Sequence, residues 1–490
     1  MVGSHASKGA DAEDATTSGL GEYLNVDPNA EKRLVRKIDF HVVPMVMLLY
    51  LFSFLDRVNI GNARLYGMED DLNLIDNRYQ TAVSLLFVTY ILSELPSNLV
   101  LKKFRPSRWI AFIATSWGII ATLTGVCQNY AGLIVCRLLL GIFEGGLFPG
   151  MTIYLTLFYT KHEIALRVGY LFVSSALAGA FGGLLAYGIG FMDGVAGERG
   201  WRWIMIIEGL PTFVIGVASF WLLADGPETA YFLSAEEREL STLRLSQQKG
   251  YTKSASEFHW KDVREGLLDW KLWAFCVSQF GSDTMLYGYS TFLPTIIKGL
   301  NSKYSSAIVQ VLTIPVYALG AIAYVTAARI SDWTQQRAIF PISFGIISIV
   351  GYAVLMSDVS SGAHYAGCFL VALGLYVCVG IPLAWNPSNL PRYGKRTTAT
   401  GMQLTIGNCS GIMAPFLYPT NEGPRYVKGH AVTMAMVAVS CLADFVLWAY
   451  YKRENAKRAK YVEKAEREQG LTESQVMEKG DNSPYFRYAT

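Results

Sequence analysis

Residues 137–150 read Arg-Leu-Leu-Leu-Gly-Ile-Phe-Glu-Gly-Gly-Leu-Phe-Pro-Gly, inside an apolar run from about Ala131 to Tyr159. Such a run is long enough to cross a bilayer, because about 20 apolar residues in a helix span its hydrocarbon core. A charged residue at the centre of a spanning helix costs roughly 2.5–3.5 kcal/mol, so Arg137 and Glu144 indicate a functional site. Seven residues of helix turn through about 700°, which places both side chains on nearly one face, about 10 Å apart along the axis.

The residues around this pair favour a tightly packed helix that bends. Four glycines lie at short intervals nearby, at positions 141, 145, 146 and 150, and small residues let neighbouring helices approach closely. Pro149 predicts a bend or break just beyond Glu144. The alternative interpretation is structural: Arg137 extends toward the membrane interface, and Glu144 only pairs with it.

The composition is that of a membrane protein. Of the 490 residues 52% are hydrophobic and 17% are charged, against roughly 25% charged in a typical soluble domain. Charged and turn-rich breaks divide the apolar runs into two sets of six candidate spans. Their cores are residues 40–56, 82–100, 109–126, 133–157, 168–191 and 203–223, then 272–297, 307–328, 340–356, 366–383, 398–417 and 432–448. The sequence therefore predicts an all-α membrane protein with twelve transmembrane helices in two six-helix bundles.

The spans and the charge distribution predict the following organisation. Residues 1–36 form a disordered cytoplasmic tail, 37–223 an amino-terminal bundle, 224–269 a cytoplasmic linker, 270–450 a carboxy-terminal bundle and 451–490 a cytoplasmic tail. Lys and Arg concentrate in alternate loops and in the tail, which predicts that both termini are cytoplasmic. Ser234 and Glu237 form a capping-box pattern that predicts a helix in the linker.

Besides Glu144, the amino-terminal half has two further candidate buried acids, Asp56 and Glu94. Asp56 and Arg57 are adjacent at the end of the first span, so on a helix they project about 100° apart, and one can face a cavity while the other faces a neighbouring helix. The alternative is that both lie on the water-exposed end of the span. Glu94 precedes Pro96 at the end of the second span, where we expect it to act in gating or packing rather than in substrate contact.

Short charged loops occupy equivalent places in the two halves. Residues 102–108 follow the second span and residues 329–337 follow the eighth, a weak sign of an internal duplication. Loops at these places hold two bundles together on the cytoplasmic face when the outer side is open. We therefore expect Arg329 and Asp332 to contribute to gating.

The carboxy-terminal half offers aromatic and neutral hydrogen-bonding groups. The seventh span contains Tyr287 and Tyr289 before a proline, and interrupted spans with polar groups near the midplane are where transporter substrates bind. Trp385 ends the tenth span, and Gln403 and Asn408 lie in the eleventh. We predict substrate contact for all five, although amides in spans also serve simply to bridge helices.

The chain resembles a known group of transporters in its arrangement and in several motifs. Twelve spans in two sets of six, joined by a cytoplasmic linker, resemble the major facilitator superfamily. The segments that carry a closer resemblance, to the fungal allantoate and nicotinate permease-like family of anion:cation symporters, are 55–63, 94–98, Arg137 with Glu144, 287–297, 313–317, 407–408, 424–426 and 429–430. Together they extend over nearly the whole chain, from about Arg33 to Lys452. The loop at 102–108 departs from the usual motif because it lacks an acid.

The resemblance implies a function and site residues. It implies a secondary transporter of the plasma membrane that imports a small organic carboxylate with protons. Arg57 and Arg137 are implied to bind the carboxylate, and Asp56 and Glu144 to carry the proton. The family transports nicotinate, allantoate, pantothenate, biotin and small peptides, and the aromatic residues favour a compact or ring-bearing monocarboxylate such as nicotinate. Expected partners are the anion, protons and the bilayer; we expect a monomer, no cofactor, no metal and no nucleic acid.

Other functional classes fit the sequence less well. A membrane receptor that binds the same anion without moving it is the alternative, although no large signalling domain accompanies the spans. A primary pump is disfavoured because no Gly-rich phosphate-binding loop occurs. An enzyme is disfavoured because no nucleophile with a paired base or cluster of metal ligands stands out. The seven cysteines contain no Cys-x-x-Cys pair and are interpreted as small apolar fillers.

Overall fold

A computed structural model describes residues 28–250, 259–301, 303–465 and 480–490. Within these residues the regular secondary structure is helical, without strands, as the sequence predicts. Most of the predicted tail at 1–36 lies outside the described residues. The predicted tail overlaps helix α1 at residues 28–36, because α1 begins at Pro28 and continues without a break to Arg64.

The amino-terminal half consists of eight helices in chain order. They are α1 (Pro28–Arg64), the short α2 (Met68–Asp71), α3 (Arg78–Lys103), α4 (Pro106–Thr124), α5 (Tyr130–Glu144), α6 (Leu147–Thr156), α7 (Lys161–Gly190) and α8 (Gly200–Leu222). The predicted fourth span is two helices, because the helix is interrupted at Gly145 and Gly146. The interruption lies a few residues before Pro149, which was expected to bend the helix. Its two parts still follow one another along a single apolar run.

Within the described residues, two helices connect the halves and seven follow. The connecting helices are α9 (Ala235–Gly250) and α10 (Trp260–Leu268); the others are α11 (Trp270–Leu300), α12 (Ser306–Thr334), α13 (Ile339–Met356), α14 (Ser361–Leu375), α15 (Val377–Ser388), α16 (Tyr393–Met413) and α17 (Val427–Ala465). The predicted capping box is confirmed. The backbone N–H of Ser234 donates to the carboxylate of Glu237 at 2.8 Å, and the Glu237 N–H donates to the Ser234 hydroxyl at 3.3 Å.

The helices in each half pack mainly on one another. In the first half α4 packs along α8, α3 along α5 and α1 along α7; in the second half α11 packs along α16 and α17, and α13 along α14. Between the halves α7 packs on α12, α3 on α16 and α1 on α11. By length and apolarity alone, eight helical segments of the described chain can cross a membrane. Helices α3, α11 and α16 are more polar because they pack at the interface between the two halves.

The bundle has two ends, which we name by the chain ends. The terminus face carries the start of α1 and the end of α17, and the opposite face carries the loop between α1 and α3. Three hydrogen bonds join the halves near the opposite face. Ser306 Oγ donates to Leu65 O at 2.9 Å, Ser84 Oγ to Ile412 O at 2.8 Å, and Gln80 Nε2 to Tyr418 O at 3.4 Å. The structure is therefore closed toward the opposite face.

This closure depends on close backbone approach at Gly61. A Cβ atom on Gly61 would lie 2.2 Å from the carbonyl oxygen of Thr291 on α11, and a backbone atom cannot move aside. Overpacking of this kind costs about 1–3 kcal/mol, so we expect Gly61→Val to shift the population about tenfold toward a state open at the opposite face. The measurement is the rate at which a membrane-impermeant maleimide alkylates a cysteine introduced at the buried interface residue Ser84.

Gly188→Val is the matched control, since nothing lies within 4 Å of the added Cβ atom at that position on α7. Equal alkylation rates in the Gly61→Val and Gly188→Val proteins would show that Gly61 does not control this closure.

Candidate functional site

A cavity lies between the two halves, below the closed opposite face. The empty space within its wall, which includes open solvent, is about 450 Å³. Helices from both halves contribute to its wall. The lining residues are Tyr50, Phe54, Arg57, Tyr90, Glu94, Phe148, Phe172, Gln279, Asp283, Leu286, Tyr287, Val379, Leu383, Leu404 and Asn408. Among these described lining residues Arg57 is the single cation.

Arg57 forms an ion pair with Glu144 at the cavity wall. Its Nε atom donates to Glu144 Oε1 at 2.6 Å, and the same oxygen accepts a hydrogen bond from Ser53 Oγ at 2.5 Å. The guanidinium carbon also lies 5.0 Å from the ring centre of Phe54 and 4.8 Å from that of Tyr90. The side chain of Arg57 is 11% exposed and that of Glu144 is 2% exposed. The cation therefore faces the cavity, and the acid lies behind it.

Asp56 and Arg137 lie on another side of the amino-terminal half, away from the cavity wall. Asp56 accepts a hydrogen bond from Asn59 Nδ2 at 3.3 Å, while its other oxygen has no partner among the described residues. Arg137 is 2% exposed and acts electrostatically on Asp56 and Tyr79. Arg137 is therefore not among the residues that line the cavity in this conformation, and its contact with substrate stays a prediction. It lies two turns nearer the opposite face than Glu144.

Two residues predicted in the carboxy-terminal half do line the cavity. Tyr287 donates from its hydroxyl to Asn408 Oδ1 at 2.6 Å, which joins α11 to α16. The Tyr287 ring also lies 4.5 Å from the ring of Phe87 on α3. This side of the cavity therefore offers an aromatic surface and a neutral amide opposite Arg57.

Three other predicted substrate contacts lie outside the cavity wall. Tyr289 points from the far side of α11 and donates to Cys368 O at 2.7 Å. Gln403 is fully buried one layer behind the wall, where it accepts from Asn386 at 2.8 Å and donates to Gln279 at 3.1 Å. Gln279 is thus the member of this amide chain that reaches the cavity. Gln403 reaches the cavity only through Gln279, whose side chain it holds by this hydrogen bond.

Trp385 also lies outside the cavity wall, because residues near the carboxy terminus cover it. Its indole N–H donates to Ala489 O at 2.8 Å, and its ring packs against Phe275 and Tyr451. Residues 480–490 lie on the terminus face rather than forming a free tail. Asn389 fixes the same segment by accepting from the Ala489 N–H at 2.7 Å.

A buried acid anchors this carboxy-terminal segment. Asp481 accepts from Lys271 Nζ at 2.8 Å and from Lys395 Nζ at 2.9 Å. Burial raises the pKa of Asp481, but the two ammonium groups lower it by more, so the pKa lies below its usual value. The acid therefore stays ionised at neutral pH and holds the start of α11 to the start of α16.

The predicted gating residues lie in different environments. Glu94 lines the cavity, and one of its carboxylate oxygens has no hydrogen-bond partner among the described residues. Asp332 pairs with Arg337 of its own loop at 2.9 Å, while Arg329 is exposed at the end of α12. The pair Arg329 and Asp332 therefore forms no bond between the halves in this conformation. A bond between the halves at residues 329–337 would require the two bundles to meet at the terminus face, where these residues lie.

The loop at 102–108, which lacks an acid of its own, receives one from another part of the chain. Asp225, just after α8, accepts from Arg105 Nη1 at 2.6 Å and from the Ser107 hydroxyl. Burial raises the pKa of Asp225, but these hydrogen bonds lower it by more, to below the usual value. The departure from the family motif is thus compensated on the terminus face.

Several buried acids were not predicted from the sequence: Asp444 on α17 accepts a hydrogen bond from Ser278 Oγ at 2.7 Å, and two others lie on α11 and α8. Asp283 on α11 lines the cavity and accepts from Gln279 Nε2 at 2.9 Å. Glu208 on α8 is 1% exposed inside the amino-terminal half. Both lie inside predicted spans, so the rule that singled out Arg137 and Glu144 applies to them equally.

Comparison with known proteins gives consistent results. The family description Major Facilitator Superfamily matches residues 46–415. An uncharacterized transporter of Schizosaccharomyces pombe is 41% identical over 90% of this chain and 87% of its own length. The high-affinity nicotinic acid transporter of Saccharomyces cerevisiae is 32% identical over 94% of this chain and 85% of its own. The chain also resembles the crystal structure of a bacterial homologue of the human lysosomal transporter Spinster in an inward-facing, unoccupied conformation. The alignment covers 86% of this chain and 98% of that chain. The TM-score of 0.65 at 15% sequence identity shows a shared fold.

Proposed function

The chain belongs to the major facilitator superfamily of multi-pass membrane transporters, and we propose that it imports a small organic carboxylate together with protons. The observation that carries this proposal is the ion pair between Arg57 and Glu144 at the cavity wall. It combines a group that binds anions with a group that binds protons. The two are in direct contact, so each controls the other.

Arg57 suits a carboxylate ligand. A guanidinium presents a planar set of N–H donors that matches the two oxygens of a carboxylate. Its Nε atom is bonded to Glu144, and its side chain, 11% exposed, lines the cavity. The aromatic rings of Phe54, Tyr90 and Tyr287 surround the place where a ring attached to that carboxylate would lie. These features favour a compact, ring-bearing monocarboxylate.

Coupling follows from competition for Arg57. While Glu144 is ionised it occupies the guanidinium, and an incoming substrate carboxylate adds a second negative charge to a buried site. Protonation of Glu144 removes that repulsion and frees Arg57, because a neutral acid binds a cation much more weakly. Substrate and proton therefore bind together and leave together, and the proton gradient drives import as the halves rock about the cavity.

The substrate proposed first is nicotinate. The Saccharomyces cerevisiae relative is named as a high-affinity nicotinic acid transporter, and nicotinate is a ring-bearing monocarboxylate of the kind that Arg57 and the aromatic wall favour. Allantoate, pantothenate, other vitamins and small peptides are the competing substrates. We further propose that the transporter acts as a monomer, because one chain supplies both sides of the cavity.

The proposed location is the plasma membrane, with both termini cytoplasmic. Basic side chains concentrate at the terminus face, in accordance with the positive-inside rule. Examples with ordered partners there are Lys37 with Glu237, Arg105 with Asp225 and Arg167 with Asp39. Tags on either end should therefore resist protease added outside intact cells.

Uptake of labelled acids tests the proposal. We expect nicotinate uptake to rise several-fold when the outer pH is lowered from neutral to acidic, and a proton ionophore to abolish accumulation. Unlabelled substrate inside vesicles should accelerate entry of label without any gradient, which a receptor that only binds the anion cannot do. Uptake that is independent of pH and of the ionophore would contradict proton coupling.

A further inference from the structure

Buried polar atoms without hydrogen-bond partners gather inside the amino-terminal half, apart from the cavity. Among the described residues these include both carboxylate oxygens of Glu208, one oxygen of Asp56, Nε of Arg137 and the indole nitrogen of Trp117. Such atoms are normally bonded, because leaving one bare in a protein interior costs about 1–3 kcal/mol. A cluster of them indicates that protons, or water that carries them, occupy this place.

Glu208 is the centre of this cluster. It is 1% exposed, and the groups that act on it are the Asp56 carboxyl and the Asn59 amide, both on α1. Asp56 is acted on in turn by Arg137 and Glu144 of α5 and by Trp117 of α4. Helix α4 brings no charge of its own to this place, because its single charged residue, Arg108, lies at its other end.

Apart from the cavity acids Glu94 and Asp283, the two arginines and three acids here balance only if one proton is present. Arg57 and Glu144 already cancel one another at the cavity wall. Arg137 can neutralise one of the two remaining acids, and it acts on Asp56 rather than on Glu208. A second ionised carboxylate would stand unbalanced at low dielectric, where adjacent acids share a proton instead. The proton therefore belongs on Glu208, with the free oxygen of Asp56 as its nearest charged acceptor.

The cluster lies nearer the opposite face than Glu144 does. Glu208 is eight residues from the start of α8, and Asp56 is eight residues from the end of α1, which puts both about 12 Å below the opposite face. Glu144 is 14 residues from the start of α5, about 21 Å deep. Above the cluster, Asn62 and Tyr79 each carry a further buried polar atom without a partner among the described residues.

We propose that Glu208 is a second proton-binding residue of the transport cycle, filled from the opposite face and separate from the cavity acid Glu144. The inference rests on the proposed proton symport and extends it. One proton on Glu144 and one on Glu208 accompany each monoanion, so that one net positive charge enters per cycle. Import is then driven by membrane potential as well as by the pH difference.

The test separates the two driving forces in proteoliposomes loaded at fixed pH, with labelled nicotinate and potassium–valinomycin diffusion potentials. An inside-negative potential of 100 mV should raise the limiting accumulation ratio of the wild-type protein about 50-fold, the effect of one transported charge. Glu208→Gln keeps a hydrogen-bond donor for Asp56 but carries no exchangeable proton. We expect it to retain import driven by a pH difference and to lose the response to potential.

The control variants locate the effect. Glu198→Gln removes a half-exposed acid beside the start of the same helix and should behave as wild type. Glu208→Asp keeps a titratable carboxyl and should keep the response to potential. A Glu208→Gln protein that responds to potential as wild type does would overturn the inference.

Two further outcomes are informative. If the wild-type protein accumulates nicotinate with a pH difference but ignores potential, the role of Glu208 is refuted while proton symport stands, whatever the variants do. If neither gradient drives accumulation, the proposed symport itself fails. Counterflow of labelled nicotinate without any gradient confirms in each case that the reconstituted protein is folded.

Discussion

Arg57→Ala is expected to abolish substrate binding. The side chain is the single cation among the described residues of the cavity wall, so it is the group there that a carboxylate can pair with. Removing one partner of a buried, charge-assisted hydrogen bond costs about 2–5 kcal/mol, so we expect the affinity for nicotinate to fall by about 100-fold or more. Equilibrium binding to the purified protein measures this loss directly, without the complication of a changed transport rate.

Two other arginine variants test whether the loss of affinity is specific to the guanidinium of Arg57. Arg57→Lys keeps the charge but presents no planar pair of donors, so we expect an intermediate affinity. Arg199→Ala removes a half-exposed arginine of the opposite face, which pairs with Asp71 at 2.9 Å, and should bind as wild type. If Arg57→Ala binds nicotinate within about threefold of the wild-type protein, the carboxylate site lies elsewhere.

Glu144→Gln is expected to separate transport from the proton gradient. A glutamine cannot ionise, so it no longer competes with the substrate for Arg57 and mimics the protonated acid. We expect concentrative uptake to vanish, while exchange of labelled for unlabelled substrate across the membrane continues. The affinity for substrate should become independent of pH, whereas that of the wild-type protein rises as the pH falls.

Asp358→Asn provides the comparison for Glu144→Gln. This acid has a side chain that is 97% exposed at the opposite face, so its loss should leave accumulation unchanged. Accumulation against a concentration gradient by Glu144→Gln, at a rate near that of wild type, would refute the role of this acid in coupling. The ion pair with Arg57 would then serve only the packing of α1 on α5.

The fold could be predicted from sequence because bilayer thickness fixes the length of each span. The all-α arrangement and the family are confirmed, and each predicted span core overlaps helix in the structure, although the fourth and tenth cores are each divided between two helices. The helix ends were less accurate. Helix α1 extends twelve residues before its predicted core at 40–56, because amphipathic turns at the terminus face continue the helix beyond the apolar run.

Helix periodicity also accounts for how Asp56 and Arg57 diverge. Adjacent residues project about 100° apart, and the structure places Arg57 at the cavity and Asp56 inside the amino-terminal half. Periodicity alone could not tell which neighbour each would meet. Substrate contact by Arg137 was implied by the family resemblance, and in this conformation Arg137 lies outside the cavity wall.

Tyr289 and Trp385 show a different limit. Aromatic residues in interrupted spans are common in binding sites, but the same side chains also fill the contacts between helices. Tyr289 lies on the side of α11 that faces α14. Trp385 is covered by residues 480–490, whose position depends on Asp481, Lys271 and Lys395, which are far apart in sequence. No local pattern reports such a contact.

Proton uptake on substrate binding tests the central claim most directly. Purified protein in weakly buffered solution is mixed with nicotinate near neutral pH, and the change in pH is recorded. Competition between the substrate carboxylate and Glu144 for Arg57 predicts uptake of about one proton per nicotinate bound, and none in Glu144→Gln. Stoichiometric binding by the wild-type protein without any proton uptake would contradict the account.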